Sequence, residues 1–230
     1  IAITGKGDMP YRWSDDYGAR LGVLRRDDPF GQVRWFDIAP CYVFHVANAF
    51  ETSSAFETSN DRGDGKSIVI HGCRYPELWR DGGGFEASAV LWEWTIDLES
   101  GVVSERQLDD RAVEFPRIDD RLAGLPARYA VSVGDARLVR YDLQTGAATE
   151  HAFGTPDTPG GPGEAVFVPS ASATADEAAG WYLAYVHDPA CNGSDLVILD
   201  AEDFTGEPVA RIRLPRRVPY GFHGNWIPNS

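Results

Sequence analysis

One turn recurs along this chain, and it restricts the fold more than any single segment does. Trp94-Thr95-Ile96-Asp97-Leu98-Glu99-Ser100-Gly101-Val102, Val139-Arg140-Tyr141-Asp142-Leu143-Gln144-Thr145-Gly146-Ala147 and Ile198-Leu199-Asp200-Ala201-Glu202-Asp203-Phe204-Thr205-Gly206-Glu207 share one design. Each is a strand ending at Asp, a short turn closed by Gly, and a second strand. The three Asp positions lie 45 and 58 residues apart, and propeller blades repeat at about 40–50 residues. The longer interval points to an inserted loop, which we place at Ser170 to Gly180, rich in Ala, Ser and Thr. An all-β propeller of antiparallel blades is the expected fold. A β-sandwich also has many short strands, but it does not call for hairpins at blade spacing.

Strand signals upstream agree with this reading. Leu21-Gly22-Val23-Leu24 is a brief strand closed by the charged turn Arg25-Arg26-Asp27-Asp28-Pro29, and Val33 to Ile38 and Tyr42 to Glu51 are β-rich runs parted by Ala39-Pro40. Asn60 to Lys66 reads as a polar turn of the Asp-Gly kind, leading into a strand from Ser67 to Cys73. No window offers a long amphipathic helix. The expected object is a single domain over residues 1–230, built of about four to five blades or part-blades.

Composition removes several function classes. A formal net charge of -14 repels phosphate backbones, and no cluster of Lys or Arg makes a local basic stripe, so nucleic acid is a poor partner. Seven Trp and 43% hydrophobic residues supply ample core. Cys41, Cys73 and Cys191 are odd in number and lack a C-x-x-C pair, which argues for reduced thiols and a cytoplasmic location. Apolar runs such as Ala89 to Trp92 are too short to span a bilayer and are broken by Glu93. The chain opens on Ile1 rather than Met, as a fragment would.

The residues able to carry chemistry are few. His223 lies between two glycines in Pro219-Tyr220-Gly221-Phe222-His223-Gly224-Asn225-Trp226, a setting that suggests close backbone approach to a ligand. His45 is embedded in the aromatic and β-branched run Tyr42 to Glu51. Glu114 opens Glu114-Phe115-Pro116-Arg117-Ile118, and Glu164 follows Gly160-Gly161-Pro162-Gly163 and leads into Ala165-Val166-Phe167-Val168-Pro169. Both acids sit at strand starts in apolar company, where a carboxylate needs a strong donor. The N–H of a metal-bound imidazole is one. The hypothesis is that His45 and His223 point at one iron, near the propeller axis and at the same end.

Those same segments, together with Arg12-Trp13 through Gly22-Val23-Leu24, resemble the carotenoid cleavage oxygenases, the family of retinal pigment epithelial membrane protein, in that family's order along the whole chain. The resemblance implies part of a seven-bladed propeller with Fe(2+) held on its axis by four histidines, three of them braced by glutamates. His45 is similar to the third ligand and His223 to the fourth, and Glu114 and Glu164 to two of the bracing acids. The first two ligands and the remaining glutamate belong to N-terminal blades that this chain does not contain. The implied reaction is cleavage of a conjugated C=C bond of a carotenoid or apocarotenoid by O2, with Phe44, Phe115, Phe222 and Trp226 as tunnel walls. This chain by itself is expected to be inactive. Any peripheral membrane contact is expected through the missing half.

Two other readings stand beside it: a stilbene-cleaving dioxygenase of the same family, and a non-catalytic propeller that binds a ligand or partner. His71, His151 and His187 match no family ligand; His71 reads as structural, and the other two as loop or edge residues. Asp109-Asp110 and Asp119-Asp120 lack the spacing of a calcium loop. Gly82-Gly83-Gly84 has no Lys-Ser/Thr after it and reads as a turn.

Overall fold

The computed structural model describes residues 11–28, 30–52, 67–80, 87–171 and 177–228. The Asn60 to Lys66 turn and Gly82 to Gly84 lie outside them, as does part of the Ser170 to Gly180 loop. Strands β1 (Ala19–Val23) and β2 (Arg34–Ile38) form a two-stranded ribbon. Three sheets follow, each antiparallel and each laid out in chain order. The first is β3 (Tyr42–Thr52), β4 (Ser67–Tyr75), β5 (Val90–Asp97) and β6 (Val103–Gln107). The second is β7 (Glu114–Arg117), β8 (Tyr129–Gly134), β9 (Arg137–Asp142) and β10 (Ala147–Ala152). In the third, β11 (Gly161–Pro162) and β12 (Val166–Pro169) both pair with β13 (Gly180–Asp188), and β14 (Gly193–Asp200) and β15 (Ala210–Arg213) complete the sheet. The fold is all-β, part of a β-propeller, with three blades and a two-stranded part-blade among the described residues.

The repeated Asp hairpin joins the third strand of each blade to the fourth. At the first two the turn is the same: Oδ1 of Asp97 accepts from Glu99 N and Ser100 N, Oδ1 of Asp142 from Gln144 N and Thr145 N. Gly101 and Gly146 close these turns at φ 75° and 74°, a conformation that costs glycine nothing. Asp200 keeps the side-chain acceptor, taking Glu202 N at 2.9 Å, but its turn runs on to β15. The 58-residue interval has a different cause from the one the composition suggested. The β12–β13 connection covers 170–179, slightly less than the 118–128 of its counterpart, whereas the passage from β10 to β12 covers 153–165 against 108–113. Longer β13 and β14 supply the rest.

Blades pack face to face, so the middle one is buried on both sides. Leu138 and Val139, neighbours on β9, point to opposite faces as strand geometry requires. Leu138 joins Val131, Phe153, Phe167, Tyr182, Val197 and Phe204 in the core shared with the third blade. Val139 joins Cys73, Leu78, Trp79, Leu91 and Tyr141 in the core shared with the first. On β13 the alternation shows a covered and an open face: Tyr182, Ala184 and Val186 are buried, Trp181 and Tyr185 exposed.

Inner strand β3 is tied to the β7–β8 connection of the next blade by one buried side chain. Asn48 Nδ2 donates to Leu125 O at 2.7 Å, and Gly124 N donates back to Asn48 Oδ1 at 3.0 Å. Of the two histidines expected in loops or at edges, His151 is on an edge strand and His187 on an interior one. His151 is buried in β10, where Nδ1 bonds Phe204 O at 3.1 Å, and His187 lies on β13 with Nδ1 sharing a 3.1 Å bond with Tyr220 OH.

Candidate metal centre

His45 is aimed by irregular backbone. The pairing of β3 with β4 shifts register between Val43 and Val46 and again between Val46 and Asn48, and bulges of this kind redirect side chains. Gly72 on β4 makes room: a Cβ there would stand 3.1 Å from His45 O. On the next inner strand, Glu114 Oε2 accepts from His45 Nδ1 at 2.7 Å and from Phe115 N at 2.8 Å. A carboxylate only accepts, so this contact sets the imidazole proton on Nδ1 and leaves the Nε2 lone pair outward.

His223 is held the same way from the third blade. Its Nδ1 donates to Glu164 Oε2 at 2.9 Å. The other oxygen of Glu164 takes Arg117 Nη1 at 2.6 Å and Gly224 N at 3.3 Å. The Glu164 side chain is 3% exposed, and a carboxylate at that depth requires such partners. His223 itself is 56% exposed on its side chain, in the extended segment beyond β15. Among the described residues a Cβ on Gly221 or Gly224 would meet nothing within 4 Å. What Gly224 contributes is its backbone, N to Glu164 and O to Arg117.

The structure brings the two imidazoles together, with ring centres 4.9 Å apart and planes at 74°. Phe115 packs beside both, 5.0 Å from His45 and 5.9 Å from His223, and Phe222 lies 6.2 Å from Phe115. Phe44 stands 6.2 Å from His45 and packs on Tyr42, Tyr75 and Trp79. Trp226 is half-exposed and makes no ring contact with either imidazole among the described residues. Phe115 holds φ 54°, a left-handed conformation that costs a bulky residue of order 1–3 kcal/mol and collects at functional sites. Glu114 also borders a cavity of about 210 Å³ with Tyr75, Ser88 and Val113. Burial and the nearby Glu114 carboxylate push the Tyr75 phenol up, keeping it protonated.

As a metal site the donor set fits iron in kind, and it offers two of the four imidazoles that the family resemblance implies. Neutral imidazole suits Fe(II), and both Nε2 atoms are outside any hydrogen bond among the described residues, where no group of three or more His, Cys, Asp or Glu side chains is placed to hold a metal. His71, His151 and His187 are engaged elsewhere. His71, read as structural, has an acidic partner in Glu93, with Nε2 to Oε2 at 2.9 Å, and Arg106 binds the second oxygen. That pair sits directly across β4 and β5 and is a buried cross-strand contact. Three of the four acids in the acidic pairs are engaged by arginines: Asp109 by Arg111, Asp119 by Arg121, Asp120 by Arg117. The residue that sequence reasoning passed over is Arg117, which lies inside the motif that supplied Glu114.

Residues 2–228 match the family of retinal pigment epithelial membrane protein. The chain is 38% identical over 245 residues to the carotenoid cleavage oxygenase of Mycobacterium tuberculosis, covering 99% of this chain and 46% of that protein. It is 30% identical over 244 residues to the apocarotenoid-15,15'-oxygenase of Synechocystis, covering 98% and 46%. The crystal structure of the cobalt-substituted Synechocystis enzyme superimposes with a TM-score of 0.80 at 28% identity, over 95% of this chain and 46% of that one. The chain thus spans about half the length of the curated relatives it matches.

Proposed function

The chain belongs to the retinal pigment epithelial membrane protein family, and from that premise we propose that residues 1–230 act as the C-terminal portion of a non-haem Fe(II) dioxygenase. Its reaction would split a conjugated carbon–carbon double bond of a carotenoid or apocarotenoid with O2 and leave two carbonyl products. The observation that carries this reading is the disposition of His45 and His223. Each gives Nδ1 to a carboxylate, each leaves Nε2 free, and the rings face one another at 4.9 Å.

Iron, when bound, would supply the redox chemistry that activates O2. The residues of this chain have the remaining tasks. His45 and His223 would donate neutral nitrogen lone pairs, which add no charge to the site and keep it open to a neutral diatomic. Glu114 and Glu164 hold the imidazole protons at Nδ1 and fix ring direction. Phe115, Phe44 and Phe222 offer apolar surface against which a polyene would lie. The names of the Mycobacterium and Synechocystis relatives support a polyene substrate. The three cysteines are free, which supports a reducing, cytoplasmic setting.

Two imidazoles are half of a four-imidazole set, and iron(II) stands low in the affinity order for nitrogen ligands. This chain alone is therefore proposed to hold iron weakly and not to turn over. The experiment is anaerobic expression of the 230-residue chain and of a protein completed with the family's N-terminal half, followed by iron analysis, loss of polyene absorbance and O2 uptake. Iron-dependent cleavage only in the completed protein is the expected result. A completed protein without O2-dependent polyene loss overturns the reading.

A further inference from the structure

Glu114 and Arg117 are three positions apart on β7, an odd spacing that sends side chains of a regular strand to opposite faces. The pairing with β8 changes that parity. Glu114 is opposite Val133 and Arg117 opposite Val131, so three steps along β7 match two along β8 and one residue is taken up as a β-bulge. The bulge falls at Phe115-Pro116, where Phe115 has φ 54°. Glu114 and Arg117 consequently share a face, and each acts on a different histidine. Glu114 binds His45 directly. Arg117 Nη1 reaches Glu164 Oε1 at 2.6 Å and Gly224 O at 3.1 Å, on either side of the His223–Glu164 contact.

We propose that Arg117 is the positioning residue for His223, so that one bulged strand sets both imidazoles relative to each other. The meaning of this for catalysis rests on the iron reading above; the geometry itself does not. Among the described residues His223 and Gly224 lie beyond β15 with no strand partner, so no sheet hydrogen bonding there orients the ring. Glu164 does, and Glu164 is oriented in turn by the guanidinium. Asp120 steadies Arg117 from the far side, accepting Nη2 at 3.1 Å on each carboxylate oxygen. A planar fork can serve Glu164, Gly224 and Asp120 at once, whereas lysine would offer a single point charge.

The test is made on the metal-free 230-residue chain with histidine labelled with nitrogen-15. In the wild type, His223 should show a protonated Nδ1 and an unprotonated Nε2. Arg117→Met should move His223 to the mixed-tautomer pattern of an unconstrained imidazole while His45 keeps its own, and Arg117→Lys should fall between the two. Unchanged His45 and His151 signals certify the fold, and a shift confined to His223 is what a general loss of structure would not give. If Arg117→Met does not fold, Arg117→Lys decides alone, with at least about a 3-fold change expected in the His223 tautomer ratio while that of His45 stays unchanged. A wild-type His223 pattern in whichever variant folds overturns the proposal. Co(II) added to the completed protein separates this from the iron reading. Retention about 10–100-fold weaker in the Arg117 variant supports both, while a wild type that takes up no Co(II) removes the metal centre and leaves the tautomer result to stand or fall by itself.

Discussion

His45 and His223 meet ring to ring at 4.9 Å, one from the inner strand of the first blade and the other from the segment that follows the last. Among the described residues no third imidazole joins them, so each should count toward any shared metal. His45→Ala or His223→Ala in the completed protein should lower iron retention by more than about 100-fold, beyond the range seen for outer partners, and abolish polyene cleavage. Iron analysis and O2 uptake measure both. Full activity in either variant would end the iron assignment.

The two bracing acids should behave differently from one another. Glu114→Gln and Glu164→Gln should each weaken metal retention by about 10–100-fold, because each replaces the carboxylate that fixes an imidazole with a neutral amide, a weaker acceptor. Glu164 also neutralises Arg117, with a side chain 3% exposed, and breaking a pair at that depth costs stability; allowing for the partly exposed arginine, about 2–4 kcal/mol is expected. Glu114 has no cation, and its Oε1 makes no hydrogen bond among the described residues, so Glu114→Gln should melt close to the wild type. Equal melting temperatures for the two variants would contradict this asymmetry.

The architecture was legible because its punctuation is local. Asp97 and Asp142 fold their own turns with their own side chains, so the residue types announce the hairpin wherever it falls. The site was legible only as a set of segments. Which way His45 or Glu114 points depends on bulges at His45 and Phe115, and a one-residue slip reverses every side chain. Arg117 escaped notice for that reason: by plain alternation it faces away from Glu114. Register also hid His71 and Glu93, which are neighbours only across a sheet. The backbone bonds of Gly224 to Glu164 and Arg117 were likewise hidden, since any residue type can make them.

Backbone strain away from the site gives a separate test. Ala136 turns the β8–β9 hairpin at φ 53° and accepts from Phe153 N at 2.9 Å, so the conformation is held in place by a bond. Glycine removes the Cβ clash and adds chain entropy to the unfolded state, and Ala136→Gly should stabilise by about 0.5–1 kcal/mol. Gly146→Ala is the reverse case: φ is 74° and a Cβ would touch nothing, so the penalty is the backbone's alone, about 1–2 kcal/mol. Urea unfolding of both variants measures these; the same sign of change in each would refute the strain account.

His151 should make stability depend on pH. It is buried between Phe153 and Phe204, at ring distances of 4.8 Å and 6.3 Å, and gives Nδ1–H to Phe204 O. Burial disfavours the imidazolium and holds its pKa below the ordinary 6.5, with the Phe204 carbonyl opposing only in part. The unfolded chain then takes up the proton at a higher pH than the folded one, so stability is complete above the unfolded value and is lost as pH falls through the window below it. His151→Leu removes the titration but strands the Phe204 carbonyl, at a pH-independent cost of about 1–3 kcal/mol. Urea midpoints measured from about pH 8 to pH 5 should therefore decline more steeply in the wild type than in His151→Leu, the two curves converging toward acid. Parallel curves would mean that His151 is not the group whose protonation opens the interface between the second and third blades.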